Sequence, residues 1–289
     1  MARSVNEGFE EFLQRLTPTE AQRLAGSVHR SSVKSALESR LNVFNFFETG
    51  SFGHGTGIRG LSDIDVLVSL GDKPTSSYTA LTRVKDALEQ RFPHTPIRVR
   101  RPAVVVEFGG GYETWEIIPG FLTTRGGKDH IVYDIPGPDT GSDYIDSAPR
   151  SHNAYVDEAN MKPTKGNAKS LARLIKAWKY YSTVPVSSFY LEMRAAQHVK
   201  NLQSYIHVWD ICLVLESLKG HSLAPMNDPS GATGRIYACS TDAKKADALT
   251  KLDSAATRAR KALDAHRDGN LDTAFYYLDL LFGGKFPAR

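Results

Sequence analysis

Cysteine is nearly absent from this chain of 289 residues: Cys212 and Cys239 are the whole complement, far apart in sequence. That excludes a disulfide scaffold and any cysteine-rich zinc module, and it suits a reducing cytoplasm. No apolar run approaches the roughly 20 residues of a membrane span. The opening MARSVNEGFEEFLQRL lacks the apolar core of a signal peptide. A cytoplasmic protein without a membrane partner is therefore expected. Charge excess is also small, +4 with a pI near 8.9. That fits the handling of phosphates but is too sparse for a dedicated DNA binder. Internal repeats and low-complexity segments are missing too. What remains, 41% apolar and 24% charged residues, is an ordinary globular composition.

The hydrophobic pattern predicts helix over residues 5–41 and a short strand or helix end at 43–47, leading into a glycine loop. Residues 64–70 read as a strand, 78–92 as an amphipathic helix, and 97–108, 114–122 and 131–135 as three further strands. From about 134 to 167 the composition turns to Pro, Gly, Asp and Asn, which predicts a linker or crossover. Only helices are expected beyond it, at 167–181, 187–202, 205–218, 242–265 and 271–281, interrupted by a loop at 225–234. The expected fold class is α+β, with a mixed-sheet lobe over 1–150, a helical lobe over 151–289 and the ligand site in the cleft between them.

The chemistry concentrates in TGSFGHGTGIRGLSDIDVLVSL, residues 49–70. Asp63 and Asp65 interrupt a run of Val, Leu and Ile. Residues two apart in a strand share a face, so both carboxylates point one way while Ile64 points into core. Two ionised carboxylates so close repel, and divalent cations relieve the repulsion. Two metals held by shared carboxylates are the apparatus of in-line attack at phosphorus. Gly50 and Ser51 supply the other part, since glycines let backbone N–H groups approach phosphate oxygens. A third acid is expected on a neighbouring strand. Glu116 in TWEIIPG is the first candidate, with Glu113 and then Glu107 behind it. A glycine–serine turn alone is common, and an Asp-x-Asp alone is usually a turn; the acids here sit where strand sequence would otherwise reject them.

The stretch GSFGHGTGIRGLSDIDVLV resembles the DNA polymerase β-like nucleotidyltransferases, and more narrowly the bacterial cGAS/DncV-like nucleotidyltransferases (CD-NTases). The likeness continues in WEIIPGF, LARLIKAWK, SSFYLE, NDPSG and LFGGKFP. Glu116 departs from the Asp that many relatives carry. The resemblance implies a bilobal enzyme that uses NTPs, ATP and GTP foremost, with two Mg²⁺ or with Mn²⁺. It implies a cyclic oligonucleotide second messenger for antiphage (CBASS) signalling, read by a separate effector protein, and regulatory protein partners. Asp63, Asp65 and Glu116 would hold metal, and Gly50, Ser51, Lys176 and Ser188 the donor triphosphate, with Phe189 stacked on a base. A cyclic GMP-AMP-type dinucleotide is the favoured product. The alternatives are a linear nucleotidyltransferase, of oligoadenylate or small-molecule type, and a non-catalytic nucleotide or RNA sensor. With two isolated cysteines and little net charge, no requirement for double-stranded DNA is expected. With only Ala288 and Arg289 after KFP, neither is control through the C-terminus.

On their own terms, Leu171, Leu174, Ile175 and Trp178 fall on one side of the 167–181 helix and Lys169, Arg173 and Lys176 on the other. That predicts either a solvated basic face or a face turned to phosphate. Ser187 or Ser188 is the expected cap of the next helix. His54 is expected in a flexible loop, Arg59 at the surface or ordering that loop, and His207 and Trp209 in packing.

Overall fold

A computed structural model describes residues 4–111, 113–138, 143–161 and 166–289, without the side chains of 21–28. Parts of the expected linker, 139–142 and 162–165, lie outside the described residues. The described chain falls into two compact units, one of residues 18–154 with 230–234 and one of 1–17, 155–229 and 235–289. The N-terminal 17 residues thus belong with the later helices, where the sequence placed them with the sheet.

The first unit contains α2 (Glu20–Glu38), β1 (Val43–Glu48), the single turn α3 (Gly50–Gly53), β2 (Ile64–Leu70), α4 (Ser77–Arg91), β3 (Ile97–Arg100), β4 (Ala103–Phe108), β5 (Glu113–Leu122), β6 (Tyr133–Pro136) and β7 (Tyr144–Ser147). The helix expected over 5–41 is two, because Pro18 has no N–H to continue the first and α1 (Val5–Leu16) ends at Thr17. The strand expected over 97–108 is likewise two, turning at Arg101–Pro102 so that β3 and β4 pair antiparallel. In the sheet the order is β1-β2-β5-β4-β3, with β6 joining β5 and β7 joining β6. Among the described residues, only β2 and β5 pair in parallel.

Alternation along β2 sorts its side chains. Ile64, Val66, Val68 and Leu70 enter a core with Trp115 and Ile117 of β5, Val33 and Leu37 of α2, and Leu81, Val84 and Leu88 of α4. Leu67 turns to the other face, into a smaller cluster with Tyr133 and Ile135. Asp65 has the parity of Leu67, and Glu116 that of Ile118, which packs on this same cluster. The two acids therefore share the face away from α2 and α4.

The second unit is helical: α1, the later part of α5 (Pro149–Met161), α6 (Asn167–Tyr181), α7 (Ser188–Lys200), α8 (His207–Gly220), α9 (Asp242–Arg267) and α10 (Leu271–Leu281). A two-residue ribbon, β8 (Met226–Asn227) with β9 (Arg235–Ile236), brackets the loop. Strand β7 and helix α5 lie inside the stretch expected to be linker, because its Pro and Gly mark turns around short elements. Helix α1 docks through aromatics: Phe9 and Phe12 pack on Phe282 and Phe286, and Phe9 stacks on His207. His207 is thus a packing residue, and Trp209 lies under the Arg267 guanidinium.

Candidate active site

Strand β2 starts at Ile64, so Asp63 stands just before it, at the mouth of the strand, and Asp65 is its second residue. In the parallel pairing of β2 with β5, Asp65 is opposite Glu116. Neighbouring strands are about 4.8 Å apart, so these carboxylates rise side by side. Glu113 and Glu107, the other candidates for the third acid, are placed elsewhere. Glu113 accepts the Trp115 indole N–H at 2.5 Å and meets His29 Nδ1 at 3.1 Å. Glu107 pairs with Arg98.

The glycine loop is fitted against Asp65. Gly50 has a φ of +53°, and a Cβ there would stand 2.0 Å from Asp65 Oδ2. Only glycine allows this backbone so close to the acid. The Thr49 N–H also donates to the Asp65 carbonyl oxygen at 2.8 Å. Ser51 is at the edge of burial, and His54 is 3% exposed, a fixed part of the fold and not the flexible loop histidine expected. Its N–H closes the α3 turn on the Gly50 carbonyl.

Arg100, the last residue of β3, donates to Glu116 and reaches Asp63 at 3.3 Å. Burial pushes the Glu116 carboxyl above its ordinary range, and a hydrogen bond shared with Asp63 adds to this, against the pull of Arg100. Burial alone would lower the Arg100 guanidinium, but its two acidic partners hold it above its ordinary range.

In the helical unit, the expected donor lysine is not at a surface. Lys176 is fully buried and donates to Glu192 Oε1 at 2.6 Å. Helix α7 covers Lys176, at the end of the side of α6 that periodicity marked as basic, and Glu192 neutralises it there. Lys179, one turn on, donates to the Ser188 hydroxyl at 2.5 Å. Burial lowers its ammonium to a pKa of about 8, and the charge of Lys176 adds to the shift while Glu192 opposes it. Ser187 caps α7, accepting from the Tyr190 N–H, which leaves the Ser188 hydroxyl to Lys179. Phe189 is half-buried beside it, and Lys169 is paired with Asp157.

A family model for the Second Messenger Oligonucleotide or Dinucleotide Synthetase domain matches residues 3–160. The chain belongs to this family. The synthetase is a CD-NTase, a nucleotidyltransferase that makes cyclic oligonucleotides. A probable cyclic nucleotide synthase of Bacillus cereus (strain VD146) is 24% identical over 285 residues, covering 83% of this chain and 81% of that protein. Among solved structures, E. coli MS115-1 CdnC with ATP is similar at a TM-score of 0.78, with 16% identity, 98% of this chain and 99% of that chain covered. The Vibrio cholerae DncV cyclic AMP-GMP synthase with the linear intermediate 5′ pppA(3′,5′)pG follows at 0.66 and 12% identity, covering 84% and 70%. These likenesses show the expected α+β class, with a mixed sheet plus helices in a fold of CdnC and DncV type.

The family uses divalent metal ions, and the donors at Asp63, Asp65 and Glu116 are all oxygen, which suits a hard cation such as Mg²⁺. Among the described residues, no three acidic, histidine or cysteine side chains converge as a ready-made metal cage. Glu116 is turned to Arg100, and Asp65 lies against Gly50. The residues fit the ion by type and by register. Two functional candidates escaped the sequence. Arg100 sits in a strand whose arginines alternate like any exposed edge. Lys179 was hidden behind Lys176 in the same LIKAWK segment, and only the packing of α7 separates them. No helix among the described residues is long and apolar enough to cross a membrane.

Proposed function

We propose that this enzyme joins ATP and GTP and closes them into a purine cyclic dinucleotide, cyclic GMP-AMP, as a second messenger for antiphage signalling in the bacterial cytoplasm. The observation that carries the catalytic part is the register of Asp65 with Glu116, with Asp63 at the strand mouth and Gly50 pressed against Asp65. Asp63, Asp65 and Glu116 would hold the divalent metal, and Glu116 would also orient the acceptor hydroxyl. Mg²⁺, when bound, supplies charge neutralisation at the phosphoryl group. Gly50 and Ser51 receive donor phosphate oxygens, and Phe189 stacks on a base, a contact every base can make.

The direct lysine contact to the donor phosphates passes from Lys176 to Lys179. Lys179 already holds the Ser188 hydroxyl, while the Lys176 ammonium is committed to Glu192.

Each bond forms as an acceptor hydroxyl attacks an α-phosphorus, the α–β phosphoanhydride bond breaks and pyrophosphate leaves. A single site makes both bonds when the linear intermediate, still carrying a triphosphate, leaves, turns over and rebinds, and a two-nucleotide ring needs the least room. The purine choice is supported by relatives of this fold described with ATP, with GTP, and as a cyclic AMP-GMP synthase. E. coli MS115-1 CdnC is also described in a complex with a HORMA protein, which supports a regulatory protein partner. Duplex DNA is not the activator, and a separate effector protein reads the product.

Mass spectrometry of products formed from all four NTPs with Mg²⁺ tests this reading. A phosphatase-resistant purine cyclic dinucleotide is expected. An obligatory pyrimidine, or three phosphates in the ring, overturns the product assignment. Linear chains or a nucleotidylated acceptor overturn cyclisation.

A further inference from the structure

We propose that Arg100 is the resident counter-cation of the acid cluster: a positioning residue that holds Glu116 and Asp63 in the metal-free enzyme and leaves Glu116 when a divalent cation binds. The inference rests on the reading of Asp63, Asp65 and Glu116 as metal ligands.

Arg100 lies on β3, the edge strand, and Glu116 lies on β5, with β4 between them. The span is two strand spacings, about 9–10 Å. Arg100 is opposite Ala103, and Glu116 is opposite Val105, so all four share one face of the sheet. Ala103 is the smallest side chain on this route, and it lets the guanidinium pass over β4 to the carboxylates. Arg98 is the built-in comparison. It sits on the same face of the same strand and pairs with Glu107 of neighbouring β4, away from the cluster.

Three carboxylates at the head of two parallel strands repel one another unless a cation is present. Arg100 supplies that charge by bonding one acid and approaching a second. The same bond occupies a Glu116 oxygen that a metal would need, and among the described residues no three acidic, histidine or cysteine side chains converge as a ready-made cage. The Arg100 side chain is 51% exposed, so solvent screens the pair and weakens it. A doubly charged ion with a tighter grip on carboxylate oxygen displaces it. Arg100 thus keeps the acids assembled before metal arrives, at a cost in metal affinity.

The test is Mn²⁺ binding to the full chain without nucleotide, followed by electron paramagnetic resonance, with thermal melting alongside. Arg100→Gln should bind Mn²⁺ about tenfold more tightly than wild type, the scale of one charge-assisted bond no longer broken on binding. Its metal-free melting temperature should fall and recover as Mn²⁺ is added, which a merely structural contact would not do. Arg100→Lys should lie between the two, and Arg98→Gln should match wild type. Unchanged or weaker Mn²⁺ binding by Arg100→Gln overturns the proposal and leaves the ligand reading intact. If Asp65→Asn and Glu116→Gln bind Mn²⁺ as wild type does, or if neither wild type nor Arg100→Gln binds it, the ligand reading falls and the proposal with it.

Discussion

The sheet and the helices of this enzyme solve opposite electrostatic problems. At the sheet, three acids crowd the head of two strands, and one half-exposed arginine offsets them. In the helices, two lysines stand one turn apart on α6, and one acid, Glu192, is sealed against the inner of the two. The first arrangement is open to exchange, because water and ions reach it. The second is fixed, because Lys176 and Glu192 are 0% and 3% exposed and neither can trade its partner for solvent. On the proposed reading, the site that admits a metal is built of weak, screened pairs, and the site that presents a cation is built on a buried one.

The sharpest way to break this comparison is to remove the acids. Asp63→Ala, Asp65→Ala and Glu116→Ala should each lower nucleotide transfer by about a hundred- to a thousandfold, the scale of losing one group that stabilises transition-state charge. None removes core volume, so each variant should fold, with metal-free melting unchanged or raised as repulsion is relieved. Steady-state turnover with melting curves checks this. Near-normal turnover in the Glu116 variant would return the third-acid role to Glu113 or Glu107.

In the helices the order reverses, and stability suffers first. Glu192→Gln leaves the Lys176 ammonium buried without its counter-charge, at a cost of about 3–5 kcal/mol. Replacing both partners with apolar residues, Lys176→Met with Glu192→Leu, should recover most of that loss, since a packed apolar pair needs no desolvation. Denaturant unfolding of both variants beside the wild type measures it. A cost for Glu192→Gln no larger than that of an exposed pair would mean that Lys176 reaches solvent after all.

Gly50→Ala joins the two kinds of effect. The positive φ alone costs about 1–2 kcal/mol for a residue with a side chain, and the new methyl would displace Asp65, whose Oδ2 is 2.0 Å from its position. Turnover should therefore fall much further than stability does. Equal, small losses in both would detach the glycine loop from Asp65.

The acid site was legible because two periodicities agreed. Period-two alternation set Asp65 apart from its apolar neighbours, and the strand in TWEIIPG offered Glu116 with matching parity. No single strand could reveal Arg100, whose partner lies two strands away and 16 residues later. On α6 the helical wheel separated apolar from basic residues and left the basic face either solvated or turned to phosphate. Glu192 of α7 instead seals Lys176, and a wheel drawn for one helix carries no information about a second. The linker reading of 134–167 failed for a similar reason: turn residues mark where the chain bends, and β7 and most of α5 fit between the bends.

The finest distinction is between Lys176 and Lys179, and pH separates them. Lys179 has a pKa lowered to about 8 by burial and by Lys176, with Glu192 acting the other way. Ser188 and the face of Tyr180 are its other near partners. Below pH 8 its ammonium is charged and available to a triphosphate. As pH rises through 8 the charge is lost from the free enzyme, so the KM for ATP should rise from there and level off at the higher pKa of the bound form, since bound phosphate favours the protonated lysine. Lys179→Ala should raise KM about tenfold or more at pH 7, the scale of one charged hydrogen bond, and by less at pH 9. Lys179→Arg should flatten the profile, since arginine stays charged. Stability should move the opposite way. The unfolded chain keeps this lysine protonated up to about 10.4. Between pH 8 and that value the unfolded state binds more protons, so this group's penalty on folding shrinks as pH rises. Lys179→Met should therefore stabilise the enzyme most below pH 8, with the gain fading above it. A KM for ATP that ignores both Lys179 substitutions but responds to Lys176→Met in a folded protein would hand the donor phosphates back to the buried lysine.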